Sequence, residues 1–317
     1  ESRPRKIRAI VHLLESLVDC GTNSLPAIRH FLSTGRDIPY LFDEPQALSG
    51  ISVWSWRPGT ELRSGLVLPP TLRISLVDVM RAIGGEGAEV SFAWMLSTTE
   101  YPFEVPYLAQ VLESIAPGRY NDLSLQAARR VLSVQSGNSA GDRLKGLGVG
   151  YVFNWLKARG DTSMVAQAIQ AVDGTQGGFN TDAARYLLAM DSAKAPELLL
   201  QTYRKSSDLE ARNQIVKLMM GQVGLNASAD EVFKDWFLAK DLDPSGGSLE
   251  ARPRELAIRL LAGGNFGPFN APIPSDPALI ERRRQLLAEL GSHVSSGRLR
   301  QAIDETLQRL SSSGAVR

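Results

Sequence analysis

Apolar residues recur along this chain at intervals of three and four, and the pattern itself repeats. Residues 11–21 read VHLLESLVDCG and residues 74–84 read ISLVDVMRAIG. An offset of 63 places Val11, Leu13, Leu14, Leu17 and Cys20 on Ile74, Leu76, Val77, Met80 and Ile83, with Glu15 on Asp78 and Gly21 on Gly84. Such spacing gathers side chains on one side of a helix. Glycine then ends the helix, because it enters the left-handed conformation without a Cβ penalty. A second helix follows each of these, with Leu32-Ser33-Thr34 on Leu96-Ser97-Thr98 at an offset of 64, so the second turn is one residue longer. Ser24 is placed to cap the first of these second helices, and Pro26 falls in its first turn, where the missing amide proton costs nothing. The two blocks are helical hairpins of one design.

Further helical segments follow. FEVPYLAQVLESIAPG sets Leu108, Val111, Leu112 and Ile115 at an offset of 32 from Leu76, Val79, Met80 and Ile83, and DLSLQAARRVLSVQSG is its partner. YVFNWLKARG with SMVAQAIQAVDG, NTDAARYLLAM with APELLLQTYRK, and DLEARNQIVKLMMG with ADEVFKDWFLA continue the pairing. RELAIRLLAGG and two polar-faced helices, 276–290 and 296–311, close the chain. Strand alternation is nearly absent. The pattern predicts an all-α chain of about six or seven hairpins stacked into one elongated domain, residues 1–317, because a single hairpin cannot bury its apolar faces alone.

Two stretches break the pattern. Residues 35–70 far exceed the usual turn of about 2 to 8 residues between bundled helices. ISVWSW alternates there and Arg57-Pro58-Gly59-Thr60 is a turn sequence, which allows a short β-hairpin. Residues 263–274, GGNFGPFNAPIP, are too rich in glycine and proline for a helix.

The paired-helix pattern, with segments such as SLPAIRHFLSTG and DAARYLLAM, resembles HEAT repeats of the armadillo-like family over most of the chain. The resemblance implies a right-handed α-α superhelix and a noncatalytic interaction or scaffold role, with protein or peptide partners on the concave helices or the two aromatic insertions. Trp54, Trp56 and Arg57 in one insertion, and Phe266 and Phe269 in the other, are the candidate contacts. Trp54 and Trp56 share a face if the segment is extended. Packing of that face onto the neighbouring hairpins is the first expectation, since an ordered insertion of this length needs its own core contacts, and contact with a partner is the other. Trp94, Trp155 and Trp236 sit in apolar helical runs and are expected in the core.

Composition narrows the chemistry. A formal charge of +1 gives no general attraction for nucleic acid or anionic membranes. Basic residues do gather at the ends, at Arg3, Arg5, Lys6 and Arg8 and at Arg282, Arg283, Arg284, Arg298 and Arg300. The second reading is therefore a nucleic-acid-binding solenoid of the kind that includes HEAT-type DNA glycosylases, although no catalytic aspartate of that family aligns here. Glu281, Glu289, Asp304 and Glu305 are interspersed, as on solvated helix faces. No run reaches the roughly 18 apolar residues of a membrane span.

One cysteine, Cys20, forbids an internal disulfide. It takes the place of Ile83 in the repeat and is expected to be a small buried hydrophobe rather than a nucleophile served by His12 or His30. Asp241, Asp243, Ser245 and Glu250 approach a calcium loop, but Arg252 stands where its bidentate glutamate belongs, and a capped turn explains the same residues. GLGVGY, residues 146–151, lacks the preceding strand of a phosphate-binding turn and is read as close helix packing. No cofactor motif emerges. The chain starts at Glu1 rather than methionine, which fits an exported, periplasmic bacterial protein that has lost a leader and fits a trimmed cytoplasmic one as well.

Overall fold

The three-and-four periodicity becomes fifteen α-helices among the described residues, with strands limited to two short ladders. The computed structural model describes residues 3–38, 54–55, 63–64, 69, 71–135, 143–173, 179–239, 251–266, 269–271, 273–294 and 297–314. The fold is all-α. The chain divides into two compact units, one of residues 1–171 and 175–177 and one of residues 172–174 and 178–317.

The first unit holds α1 (Arg3–Asp19), α2 (Leu25–Ser33), α3 (Leu72–Ile83), α4 (Gly85–Thr98), α5 (Glu104–Ile115), α6 (Asn121–Gln135), α7 (Arg143–Ala158) and nearly all of α8 (Val165–Val172). Its alternate helices pack side by side: α1 on α3, α3 on α5 and α5 on α7, with α2 on α4 and α4 on α6. Consecutive helices from α2 to α7 close the space between these two rows. Ile74, Val77, Met80, Phe92, Leu96, Leu108 and Leu112 are sealed there. Each such side chain contributes roughly 1.5 to 3 kcal/mol by leaving water.

Burial departs from the repeat at its first member. Leu13 is 65% exposed, whereas its counterpart Leu76 is 4% exposed. The reason is position, since α3 lies between α1 and α5 whereas α1 packs on α3 alone among the helices of the odd-numbered row. Cys20 is also exposed, against the expectation of a buried hydrophobe. It lies just beyond the last turn of α1, and its counterpart Ile83 is itself only half-buried. Trp155 and Trp236 are buried as expected. Trp94 is half-buried, with the Arg29 guanidinium 5.5 Å from its ring centroid.

The insertion leaves and re-enters the hairpin array at one point. The Leu72 N–H donates to the Ile38 carbonyl at 2.9 Å. Asp37 Oδ1 accepts from the Arg73 N–H at 3.1 Å and from the Ile38 N–H at 2.8 Å, so Asp37 caps α3 from across the break. Beyond this base, β1 (Trp54–Ser55) pairs antiparallel with β2 (Arg63–Ser64), on either side of the Arg57–Thr60 turn sequence, which lies outside the described residues. Replacing residues 40–69 by a four-residue glycine-serine turn is expected to leave α3 folded, with unchanged hydrogen-exchange protection. Shortening the loop lowers its closure entropy by about 2 kcal/mol. Loss of protection in α3 would show that its cap depends on the excised residues.

The second unit holds α9 (Thr181–Met190), α10 (Ala195–Lys205), α11 (Leu209–Met219), α12 (Ala227–Leu238), α13 (Ala251–Leu261), α14 (Pro277–His293) and α15 (Gly297–Gly314). Again alternate helices touch: α9 and α11, α10 and α12, α12 and α14, α13 and α15. Asn180, Asp208, Asn226 and Asp276 cap α9, α11, α12 and α14 through their side chains, at about 1 kcal/mol each. The glycine- and proline-rich break forms a ladder rather than a bare loop. β3 (Gly264–Phe266) pairs antiparallel with β4 (Phe269–Ala271), and both pack on α13.

Three buried arginines and the half-buried Arg130 tie helix ends to neighbouring helices in the two units. Carbonyls in the last turn of a helix lack intrahelical donors and carry the negative end of the helix dipole. Arg73 Nη1 donates to the Leu32 carbonyl of α2 at 2.9 Å, and Arg130 Nη2 donates to the Leu96 and Thr99 carbonyls at the end of α4, at 2.9 and 3.2 Å. Arg254 reaches the Ala239 carbonyl just past α12 at 2.8 Å. Arg283 reaches the Leu261 carbonyl of α13 at 2.6 Å and the Val223 carbonyl at 2.9 Å.

Candidate functional site

Side-by-side packing of α1 and α3 leaves a groove of about 240 Å³. Val11, Leu14 and Val18 of α1, with Val79 of α3 and Pro69, give it apolar walls. Ser75, Glu15 and Asp78 are also among its lining residues, but the surface facing the groove is almost wholly apolar. These acids are the equivalent positions of the two matching helices. Equivalent helices lying side by side therefore set like residue beside like residue.

Asp78 is held in place from the next helix along. The Tyr107 hydroxyl of α5 donates to Asp78 Oδ1. Burial pushes the Asp78 carboxyl above the ordinary aspartate range, and the Tyr107 hydrogen bond and the Arg81 charge offset part of that rise. Burial raises the Tyr107 phenol too, reinforced by the Asp78 charge and the shared hydrogen bond, while Arg81 opposes the rise. Tyr107 is thus a phenol that donates across physiological pH, and it ties one Asp78 oxygen to α5.

The start of α3 rests on a buried polar hub. Arg73 Nε donates to Glu104 Oε1 at 2.6 Å and Nη2 to Oε2 at 3.1 Å, a bidentate pair with 4% and 0% side-chain exposure. The Thr99 hydroxyl donates to Glu104 Oε2 at 2.5 Å. The guanidinium sits 4.7 Å from the Tyr101 ring centroid, and the Tyr101 hydroxyl donates to the Gly35 carbonyl at 2.7 Å. The hub binds the ends of α2 and α4 to the starts of α3 and α5, and so fixes the wall that carries Asp78.

None of the sequence candidates is among the described residues that line the groove. Trp54 stands in β1 opposite Ser64, and Phe266 and Phe269 are direct partners across the β3–β4 ladder. The side chains of these residues, together with Trp56 and Arg57, lie outside the described residues. So do Asp241, Asp243, Ser245 and Glu250, the calcium candidates. Among the described residues no group of three or more His, Cys, Asp or Glu could hold a metal ion, and no helix is long and apolar enough to cross a membrane. GLGVGY lies inside α7, where Gly148 meets the backbone of Phe103.

The basic run near the C-terminus is largely engaged. Arg282 pairs with the buried Asp230 at 3.0 Å, Arg284 with Glu281 at 3.2 Å and Arg298 with Glu255 at 2.9 Å, while Arg283 is buried against helix ends. Sequence reasoning matched Glu15 with Asp78 but did not place them at one groove. The available signal was an acid held at the same position in two otherwise apolar helix faces. Comparison with known proteins adds no match: no family model fits the chain, and neither a curated protein nor a solved structure is significantly similar to it.

Proposed function

We propose that each unit is a HEAT-like stack of helical hairpins and that the chain is a noncatalytic scaffold that binds a protein or peptide partner. Alternate-helix packing in both units, added to the hairpin repeat, supports the architectural reading. The observation that carries the functional reading is the α1/α3 groove, an apolar-walled depression between two adjacent helices. Binding surfaces combine an apolar centre with a few polar groups that set orientation. The aromatic insertions, with Trp54, Trp56, Phe266 and Phe269, are the second contact region of this proposal.

Nucleic acid is the less favoured partner, because carboxylates already hold Arg282, Arg284 and Arg298. Affinity capture with the native full chain tests the choice. The expected result is a specific protein whose affinity falls at least tenfold when Trp54, Trp56, Phe266 and Phe269 are all changed to alanine. Unchanged affinity would remove the insertions from the interface. DNA binding that weakens steeply with salt would favour the nucleic-acid reading instead.

A further inference from the structure

We infer that α1 pairs antiparallel with α1 of a second copy of this chain, through the face turned away from α3 and about a two-fold axis at His12. Its own unit does not seal this helix. No residue from Arg5 to Asp19 is buried, whereas α3 has seven buried residues, and Leu13 is 65% exposed. Even Val11, Leu14 and Val18, beside α3, are only half-buried. On the far side Arg5, Ala9, His12 and Asp19 form one exposed stripe. Leu13 runs along one flank of that stripe, and Arg8 and Glu15 run along the other.

Charge picks out a second copy as the occupant. The exposed surface of α1 is basic at its start, with Arg5, Lys6 and Arg8, and acidic at its end, with Glu15 and Asp19. Among the described residues none of these five side chains forms an ion pair. A lone helix is stabilised by the reverse order, with acids at the positive N-terminal end of its dipole and bases at the C-terminal end. α1 has no acid in its first turn and no base in its last. Arg5 and Arg8, three apart, and Glu15 and Asp19, four apart, are also like-charged neighbours that repel on a helix surface. An antiparallel second copy offsets both penalties. Turned about His12, it brings its Asp19 and its C-terminal end opposite Arg5 and its Glu15 beside Arg8, while the two Leu13 side chains meet near the axis and leave water. A parallel pair would instead set Arg5 against Arg5 and Asp19 against Asp19. One helix pair buries less than the roughly 1,200 Å² of a standard interface, so the dimer is weak and concentration-dependent.

Sedimentation equilibrium of the full chain, from micromolar to millimolar concentration, tests the dimer. A monomer–dimer equilibrium is expected, and Leu13→Glu, a change on an exposed side chain, should weaken it at least tenfold. Arg5→Glu with Arg8→Glu should weaken it at least tenfold, and so should Glu15→Arg with Asp19→Arg. An equal mixture of these two double variants should dimerise at least as tightly as the wild type, because one stripe is then wholly acidic and the other wholly basic. Cysteine cross-linking fixes the direction. His12→Cys in a Cys20→Ser background should form a disulfide dimer under mild oxidation, whereas the exposed native Cys20 should not, since an antiparallel pair about His12 holds the two copies of it about 24 Å apart. A chain that stays monomeric throughout would overturn the dimer and leave the face to another partner. A dimer unchanged by both charge reversals, or one bridged through Cys20 and not through residue 12, would overturn it too. The dimer is independent of the scaffold reading, and any of these failures would leave capture of a protein partner as expected.

Discussion

Arg73→Met is expected to destabilise the first unit by about 3 to 5 kcal/mol, the usual consequence of removing one partner of a buried ion pair. The Glu104 carboxylate has no exposure, and without Arg73 it keeps the Thr99 hydroxyl but loses two charge-assisted hydrogen bonds. The Leu32 carbonyl loses its charged donor at the same stroke and keeps the Gly35 N–H at 3.3 Å. Burial alone would lower the Arg73 pKa, but hydrogen bonding to Glu104 and the charge of that carboxylate raise it on balance, so the arginine stays charged. Most of the loss comes from the stranded acid. Arg73→Met with Glu104→Leu should therefore recover at least half of it, because an apolar pair of similar volume removes the uncompensated charge. Denaturant-dependent hydrogen exchange in α3 to α5 reads both changes. A single-mutant loss below about 1 kcal/mol would mean that water reaches the hub, as at surface ion pairs.

Gly148→Ala is expected to destabilise the same unit, although alanine is the better helix former by about 1 kcal/mol. An added Cβ would lie 2.8 Å from the Phe103 nitrogen, 3.0 Å from Phe103 Cβ and 3.2 Å from Pro102 Cβ. The nearest of these is backbone and cannot swing aside, so α7 and the start of α5 must separate. Overpacking of this kind costs roughly 1 to 3 kcal/mol, and Gly148→Val should cost more than Gly148→Ala. Gly291→Ala in α14 is the matched control. Its Cβ meets Ile303 Cγ2 at 3.7 Å, an ordinary contact, and the change should leave stability equal or raise it by up to about 1 kcal/mol. If thermal melting showed Gly148→Ala and Gly291→Ala to be alike, close packing would not be the reason for glycine in α7.

Legibility in the sequence followed the range of the interaction. Helices were readable because helix periodicity and glycine stops are local, and the repeat at residues 11–21 and 74–84 aligned α1 with α3. The closing helices were foreseen from 276 and 296, and they run over Pro277–His293 and Gly297–Gly314. Burial was less readable, because Leu13 and Leu76 occupy one pattern position but differ in whether a helix lies on each side. Arg73, Arg254 and Arg283 could not be told from solvated arginines, since their partners are carbonyls and an acid set by tertiary packing. Glu15 and Asp78 were aligned from sequence, but the groove that both help to line depends on α1 lying against α3. Trp54 and Trp56, prominent in the sequence, belong to a segment whose side chains lie outside the described residues.

Hydrogen-exchange mass spectrometry of the full chain with its captured protein partner tests the scaffold proposal most directly. The account predicts partner-dependent protection in α1 and α3, the helices that line the groove, and loss of that protection when Val11 and Val18 on its α1 wall are both changed to aspartate. Protection absent from both helices, together with salt-sensitive protection of the arginine-bearing termini on adding DNA, would contradict it.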